Sequence, residues 1–134
     1  MTADEPSPRD LLRNCKLLIV DDDAEIRRMI ASMLKPTLAS VSEAGSGREA
    51  ELRIRESAFD VIVLDWNLVD MPALELLERA ERTRPGVSSR CLVVTGDLID
   101  SRNPHEAERR GLALLRKPFR PGDLVSAVRR TLGD

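Results

Sequence analysis

The stretch 61-VIVLDWNL-68 is the most informative part of the sequence, because four aliphatic residues run directly into the carboxylate of Asp65. An uninterrupted aliphatic run of this kind is typical of a strand that is buried on both faces of a parallel sheet. The earlier stretch 17-LLIVDDD-23 has the same pattern and ends in three aspartates. A core strand gains nothing from a charge at its end unless something cationic is held there. The two stretches therefore indicate a site.

The composition indicates one ordinary folded domain. The chain has 134 residues, of which 42% are hydrophobic and 33% are charged, enough for a single core. A net charge of -2 and an aromatic content of 2% disfavour nucleic-acid binding. No apolar run approaches the roughly 20 residues that a membrane helix needs, and Cys15 and Cys91 lack metal-like spacing. These features predict a cytoplasmic domain without direct contacts to nucleic acid or membrane.

Strand-like and helix-like segments alternate along the chain. Residues 1–14 lack apolar periodicity and predict a flexible lead-in, with the domain itself over 15–134. Short apolar runs predict five strands, at 16–20, 38–44, 60–64, within 90–97 and at 112–115. Helical patterns follow them within 23–35, 46–57, 72–83, 104–111 and 120–132. This alternation predicts an α/β fold, a doubly wound five-stranded parallel sheet with helices on both faces.

The first predicted helix has a clear apolar pattern. Ile26, Met29, Ile30, Met33 and Leu34 recur at helical spacing, and Pro36 follows as a stop. The second strand is half polar, as expected for an edge strand.

Polar side chains follow the predicted strands at one edge of the sheet. In open α/β sheets, ligands bind outside the carboxyl ends of the strands, where the strand order reverses. If strands one and three are neighbours, their terminal carboxylates converge, and they persist as anions only with a cation between them. Oxygen ligands suit Mg²⁺. The residues at these strand ends are Asp21, Asp22 and Asp23 for strand one, Asp65 for strand three, Thr95, Gly96 and Asp97 for strand four, and Arg116, Lys117 and Pro118 for strand five.

A metal, a lysine and a hydroxyl around one carboxylate form a site that stabilises phosphoryl oxygens. The central carboxylate of such a site can itself be the nucleophile that receives the phosphoryl group.

Four motifs in this order resemble the response-regulator receiver domain of two-component signalling. They are IVDDD (19–23), VLDWN (63–67), VVTGD (93–97) and RKPF (116–119), and the resemblance covers roughly residues 15–132. It implies a flavodoxin-like sheet with the strand order 2-1-3-4-5. The last two motifs are also similar to receivers fused to hybrid sensor kinases, so a fragment of such a kinase is an alternative to a stand-alone receiver.

The resemblance implies the phosphoacceptor and the metal ligands. Asp65 would accept the phosphoryl group. Asp21 and Asp22 would bind Mg²⁺ together with Asp65 and the backbone carbonyl of Asn67.

The resemblance also implies the groups that stabilise and modulate the phosphoryl group. Thr95 would donate a hydrogen bond to a phosphoryl oxygen, and Lys117 would pair with Asp65 or its phosphoryl group. A Lys117–Pro118 bond, usually cis in the family, would orient the lysine. Gly96 would keep access to the acceptor open, and Asp97, like Asn67, would influence the rate of hydrolysis.

Three positions depart from the family pattern. Val69 stands where a proline is usual, and Ala73, preceded by Pro72, stands where a glycine is common. The loop after strand three is therefore expected to be reshaped. Leu114 replaces the Tyr or Phe that moves inward on phosphorylation in many receivers, which affects the readout and not the acceptor.

The predicted function is a phosphorylation-dependent switch of a two-component or phosphorelay system. A histidine kinase or histidine phosphotransfer protein would supply the phosphoryl group, and a downstream protein would bind the face of strand four, strand five and the last helix. The chain would not be an enzyme beyond its own phosphoryl transfer and dephosphorylation. A phosphorylation-independent adaptor is an alternative that Leu114 favours. A phosphohydrolase is another, although such enzymes usually need an acid where Asn67 stands.

Overall fold

A parallel five-stranded sheet forms the centre of the molecule, with the order β2-β1-β3-β4-β5. The computed structural model describes residues 14–35, 40–96 and 110–133. The strands are β1 (Lys16–Val20), β2 (Ser40–Ala44), β3 (Val61–Asp65), β4 (Cys91–Thr95) and β5 (Ala113–Arg116). The predicted α/β fold and strand order are confirmed, with β3 and β5 each displaced by one residue from their predicted positions and β2 described from residue 40.

Four α-helices are present in the described residues. They are α1 (Ala24–Leu34), α2 (Gly47–Glu56), α3 (Ala73–Thr83) and α4 (Pro121–Thr131), and a short 3₁₀ helix (Val87–Arg90) precedes β4. None of the helices in this part of the chain is long and apolar enough to cross a membrane. The helix predicted over 104–111 lies outside the described residues, apart from Arg110 and Gly111. Of the lead-in predicted over 1–14, only Asn14 is described.

The central strands alternate their side chains between two cores, since successive residues of a strand point to opposite faces. One core includes the apolar faces of α2 and α3, and the other those of α1 and α4. Leu18, Val20, Ile62 and Leu64 contribute to the first, and Leu17, Ile19, Val61 and Val63 to the second. All eight are at most 1% exposed, which confirms that helices cover both faces of the sheet.

Not every apolar residue at helical spacing in α1 is buried. Ile30 and Leu34 are buried, and Ile26 and Met33 pack partly buried against the core, but Met29 is 42% exposed. A helix turns by about 100° per residue. The stripe that contacts the sheet is therefore centred nearer Ala31, which is buried, and Met29 lies beyond its edge.

Candidate functional site

The sheet brings together the carboxylates that end β1 and β3. These strands are neighbours, with Val20 opposite Leu64, so the residues that follow them share one edge. Carboxylate oxygens of Asp21, Asp22 and Asp65 all lie within 4.8 Å of one another. Asp21 is 2% exposed and Asp65 is 9% exposed, whereas Asp22 is open to solvent. The structure thus assembles three of the predicted metal ligands into one cluster.

Backbone hydrogen bonds orient the two buried carboxylates. Asn67 N donates to Asp65 Oδ1 at 3.1 Å, and Asp23 N donates to Asp21 Oδ1 at 2.9 Å. Asp23 itself caps α1, because its Oδ1 accepts from Glu25 N at 2.9 Å. Asp23 is therefore a capping residue, and Asp21 and Asp22 belong to the cluster.

Burial raises the pKa of both Asp21 and Asp65. For Asp21, the neighbouring charges of Asp65 and Asp22 raise the pKa further, and the Asp23 N–H and Lys117 oppose the rise. For Asp65, the Asn67 N–H and Lys117 oppose the effect of burial, and the charge of Asp22 adds to it. The cluster therefore favours a compensating positive charge.

Lys117 supplies part of that positive charge. Its Nζ lies 3.8 Å from Asp21 Oδ2, so its ion pair in this structure is with Asp21, whereas the resemblance to receivers implies a pair with Asp65 or its phosphoryl group. Its positive charge nevertheless opposes the rise in the pKa of Asp65 that burial causes. Lys117 N donates to the carbonyl of Thr95 at 2.8 Å, which ties β5 to the end of β4, and the Lys117–Pro118 bond is cis.

The remaining predicted site residues lie around this cluster or outside the described residues. Thr95 ends β4 and is 5% exposed, next to the strand that carries Asp65. An added Cβ at Gly96 would lie 3.6 Å from Lys117 Cδ, an ordinary contact. Leu114 is partly buried and packs against the core under α2 and α3. Asp97 lies outside the described residues.

Arg27 is a site neighbour that the sequence analysis missed. Its Nη1 donates to the backbone carbonyl of Asp21 at 2.6 Å, and its Nε pairs with Glu43 Oε1 at 3.1 Å. It therefore links the cluster backbone to the end of β2. Arg27 belongs to no recognisable motif. The one sequence feature that could have indicated its position is Glu43, an acid near the end of β2, which pairs with β1.

The cluster fits a hard divalent cation. Its three converging side chains offer only oxygen atoms, two of the carboxylates are largely removed from water, and burial raises the pKa of both. Mg²⁺ is bound by such oxygen ligands, usually one or two carboxylates with several waters. Asp21, Asp22 and Asp65 are the side chains that would hold it.

A five-stranded parallel sheet in the order 2-1-3-4-5 is the flavodoxin-like doubly wound arrangement, and here acids end β1 and β3 at the point where the strand order reverses. The sequence matches the response regulator receiver domain over residues 17–129, so the chain belongs to that family. It is a receiver domain of two-component signalling.

Known relatives agree with this assignment. The response regulator receiver protein CpdR of Brucella abortus is 27% identical over 87% of this chain and 96% of its own length. The phosphate regulon transcriptional regulatory protein PhoB of Pseudomonas aeruginosa is 31% identical over 87% of this chain, which spans only 51% of PhoB. A CheY-like receiver structure from Methanospirillum hungatei superposes with a TM-score of 0.77 at 30% identity and covers 89% of this chain and 94% of its own.

Proposed function

We propose that the chain is a phosphorylation-dependent switch that accepts a phosphoryl group on Asp65 with the help of Mg²⁺. The observation that carries this proposal is the convergence of three carboxylates, whose oxygens lie within 4.8 Å of one another, with Lys117 beside them, where the strand order reverses. Carboxylates that merely cap helices avoid such mutual repulsion. This arrangement instead suits a site where negative charge is received and compensated.

The transfer is a displacement at phosphorus. An oxygen of the Asp65 carboxylate attacks the phosphorus of a phosphohistidine on the donor protein. The P–O bond forms as the P–N bond breaks, and the donor imidazole leaves with the electron pair of that bond. Attack by water later cleaves the acyl phosphate, releases inorganic phosphate and restores the Asp65 carboxylate.

Each neighbouring residue has a role in this transfer. Asp21 and Asp22, with Asp65 and the Asn67 carbonyl, would hold Mg²⁺, which supplies positive charge against the carboxylates and the phosphoryl oxygens. Asn67 N–H holds one oxygen of Asp65 and leaves the other for attack.

The remaining residues act on the phosphoryl group after transfer. Thr95 donates its hydroxyl to a phosphoryl oxygen, and Lys117, oriented through Pro118, turns its charge from Asp21 toward that group. Gly96 leaves the approach open, and Asp97 modulates hydrolysis.

The partners are proteins on the two sides of a signalling step. A histidine kinase or histidine phosphotransfer protein donates the phosphoryl group, in the cytoplasm. A downstream protein binds the face formed by β4, β5 and α4. Phosphorylation adds up to about two negative charges, and the movement of Thr95 and Lys117 toward them alters that face. With Leu114 at the aromatic position, the readout is a shift of packing without a tyrosine hydroxyl.

Intact mass after incubation with acetyl phosphate tests the proposal, with and without Mg²⁺. Wild type is expected to gain one phosphoryl group only when Mg²⁺ is present, and Asp65→Asn is expected to gain none. Asp60→Asn is the matched control, because Asp60 lies at the opposite end of β3. Equal modification of wild type and Asp65→Asn would refute the acceptor assignment.

A phosphorylation-independent adaptor is the second candidate, favoured by the packing of Leu114 into the core. It predicts that a binding partner has the same affinity for phosphorylated wild type as for Asp65→Asn.

A further inference from the structure

The loop that follows the acceptor is joined to a helix that lies outside the metal cluster. We call residues 66–72, which connect β3 to α3, the acceptor loop. Within it, the Asp70 carboxylate accepts two backbone hydrogen bonds from the first turn of α2. Gly47 N donates to Oδ1 at 2.8 Å, and Arg48 N donates to Oδ2 at 3.0 Å.

These bonds provide acceptors for unpaired amides at the N-terminus of α2. The first amides of a helix have no partner within the helix and carry a partial positive charge. Ser46 Oγ accepts from Glu49 N at 3.0 Å, which leaves the amides of Gly47 and Arg48 for an outside acceptor. Asp70, more than twenty residues further along the chain, provides that acceptor with both of its oxygens.

A second contact joins the same two segments by packing. A Cβ added at Gly47 would lie 2.5 Å from Met71 Cγ and 2.9 Å from Met71 Sδ. Met71 therefore occupies the space that any larger residue at position 47 would need. The absence of a side chain at Gly47 lets the acceptor loop approach the helix closely.

The other end of the acceptor loop is attached to the acceptor. Trp66 N donates to the Val94 carbonyl at 3.0 Å, and Asn67 N donates to Asp65 Oδ1 at 3.1 Å. Between Asn67 and Asp70, Leu68 packs partly buried against the core, but Val69 is 84% exposed. Leu68 thus anchors the middle of the loop by packing, and Asp70 and Met71 hold its far end.

We propose that Asp70 is a positioning residue: its bonds to the first turn of α2 tether the acceptor loop and thereby hold the Asn67 backbone against Asp65. Burial opposes ionisation of Asp70, yet the amides of Gly47 and Arg48 together hold its pKa below the ordinary range, so the tether is anionic at neutral pH. The consequence for Mg²⁺ rests on the proposed function, because it requires that the Asn67 carbonyl is a ligand.

Two variants break the tether in different ways. Asp70→Ala removes both hydrogen bonds, and Gly47→Ala displaces Met71 while it leaves the carboxylate in place. Asp60→Ala is the matched control, because Asp60 Oδ2 also accepts a backbone hydrogen bond, from Lys16 N at 2.8 Å, but at the opposite end of β3.

Hydrogen exchange of the metal-free protein tests the tether alone. In both Asp70→Ala and Gly47→Ala, the Asn67 amide is expected to exchange about tenfold faster, since its bond to Asp65 opens more often. Asp60→Ala is expected to leave that amide at the wild-type rate. Unchanged exchange at Asn67 in Asp70→Ala, or an equal increase in Asp60→Ala, would overturn the proposal.

Mg²⁺ titration, followed by Trp66 fluorescence, tests the consequence for the metal. Asp70→Ala is expected to raise the Mg²⁺ Kd by about tenfold, the lower end of what loss of a supporting contact costs. Asp60→Ala is expected to bind like wild type. A normal Mg²⁺ Kd in Asp70→Ala, together with faster exchange at Asn67, would overturn the proposed effect on the metal site. The role of Asp70 in holding the acceptor loop would still stand. Absence of Mg²⁺ binding by wild type would instead refute the proposed function, and the exchange experiment would still decide the tether.

Discussion

The pKa values of two pairs of carboxylates in this protein are shifted in opposite directions. Asp21 and Asp65 are buried against each other at the strand ends, and burial raises the pKa of both. Asp70 and Glu81 lie at more exposed positions and each accept hydrogen bonds from two backbone amides, and their pKa values are lowered. Glu81 accepts from Gly86 N, from Ser88 N at 3.0 Å and from Ser88 Oγ at 2.8 Å.

The comparison separates groups that stabilise the fold from groups that stabilise a bound charge. A carboxylate whose pKa is lowered in the folded state contributes to folding at neutral pH. One whose pKa is raised destabilises the folded state at neutral pH. Asp21 and Asp65 therefore cost stability in the absence of a cation, which is expected where a site is prepared for metal and phosphoryl chemistry.

The largest expected effect is that of Lys117→Ala on phosphoryl transfer. Loss of one charged group that stabilises a reacting oxyanion typically costs about a hundredfold in rate. The rate of adduct formation with acetyl phosphate, followed by intact mass, measures it. Lys16→Ala is the control, since Lys16 lies at the opposite end of the sheet with its Nζ 6.0 Å from the centre of the Phe59 ring. An equal loss in both variants would mean that Lys117 has no special relation to the acceptor.

Glu81→Ala tests the stabilising pair. It leaves three donors without their acceptor, so we expect it to lower the free energy of unfolding by about 2 kcal/mol in urea denaturation. Glu78→Ala is the matched control. Glu78 lies on the exposed face of α3, and its carboxylate makes no hydrogen bond or ion pair to the described part of the chain. Comparable losses of stability in both variants would contradict a stabilising role for the three hydrogen bonds of Glu81.

Asp65→Asn tests the destabilising pair. Without Mg²⁺ at pH 7, the variant is expected to be more stable than wild type by on the order of 1 kcal/mol, because it removes a buried charge beside two other acids. Urea denaturation of the metal-free proteins measures the difference. A loss of stability would mean that the Asn67 N–H bond and the nearby charge of Lys117 outweigh the cost of burying the Asp65 charge.

The pH dependence of these variants is expected to differ in sign. The cost of burying the Asp65 charge is absent below its unfolded pKa of about 4, where the carboxyl is protonated in both states, and it grows as pH rises to the raised folded pKa, so the gain from Asp65→Asn grows with pH over that window. The contribution of Glu81 is present above its unfolded pKa and is lost as pH falls through its lowered folded pKa. The destabilisation by Glu81→Ala should therefore shrink on acidification. Urea denaturation from about pH 3, below the unfolded pKa of Glu81, up to neutral pH measures both differences, and parallel trends of the same sign would contradict the comparison.

The smallest expected effect is that of Gly96→Ala. The added Cβ makes an ordinary contact with Lys117 Cδ, and Gly96 has no positive φ that would strain alanine. We expect a change in unfolding free energy below about 0.5 kcal/mol, as for most surface substitutions. A slower rate of adduct formation with unchanged stability would show that the methyl group obstructs access to Asp65, whereas a large loss of stability would show that Gly96 is needed for the fold.

Local sequence patterns were sufficient for the fold class and for the residues that could form the site. Aliphatic runs such as Val61–Leu64 predict buried strands because hydrophobic period and run length are properties of neighbouring residues. The acids that end two of these runs follow from the same reasoning. The strand order and the individual roles came from the resemblance to receivers.

Contacts between distant residues could be assigned only from the folded chain. Lys117 pairs with Asp21, Arg27 binds the Asp21 carbonyl, and Asp70 caps α2, although none of these pairs is adjacent in sequence. Such contacts depend on strand register and on the paths of loops, which periodicity does not encode. The exposure of Met29 has a similar origin, since the sheet and α4 select which part of the apolar stripe of α1 is covered. Side-chain type and period thus indicated the chemistry available at the strand ends, and tertiary packing determined which groups meet there.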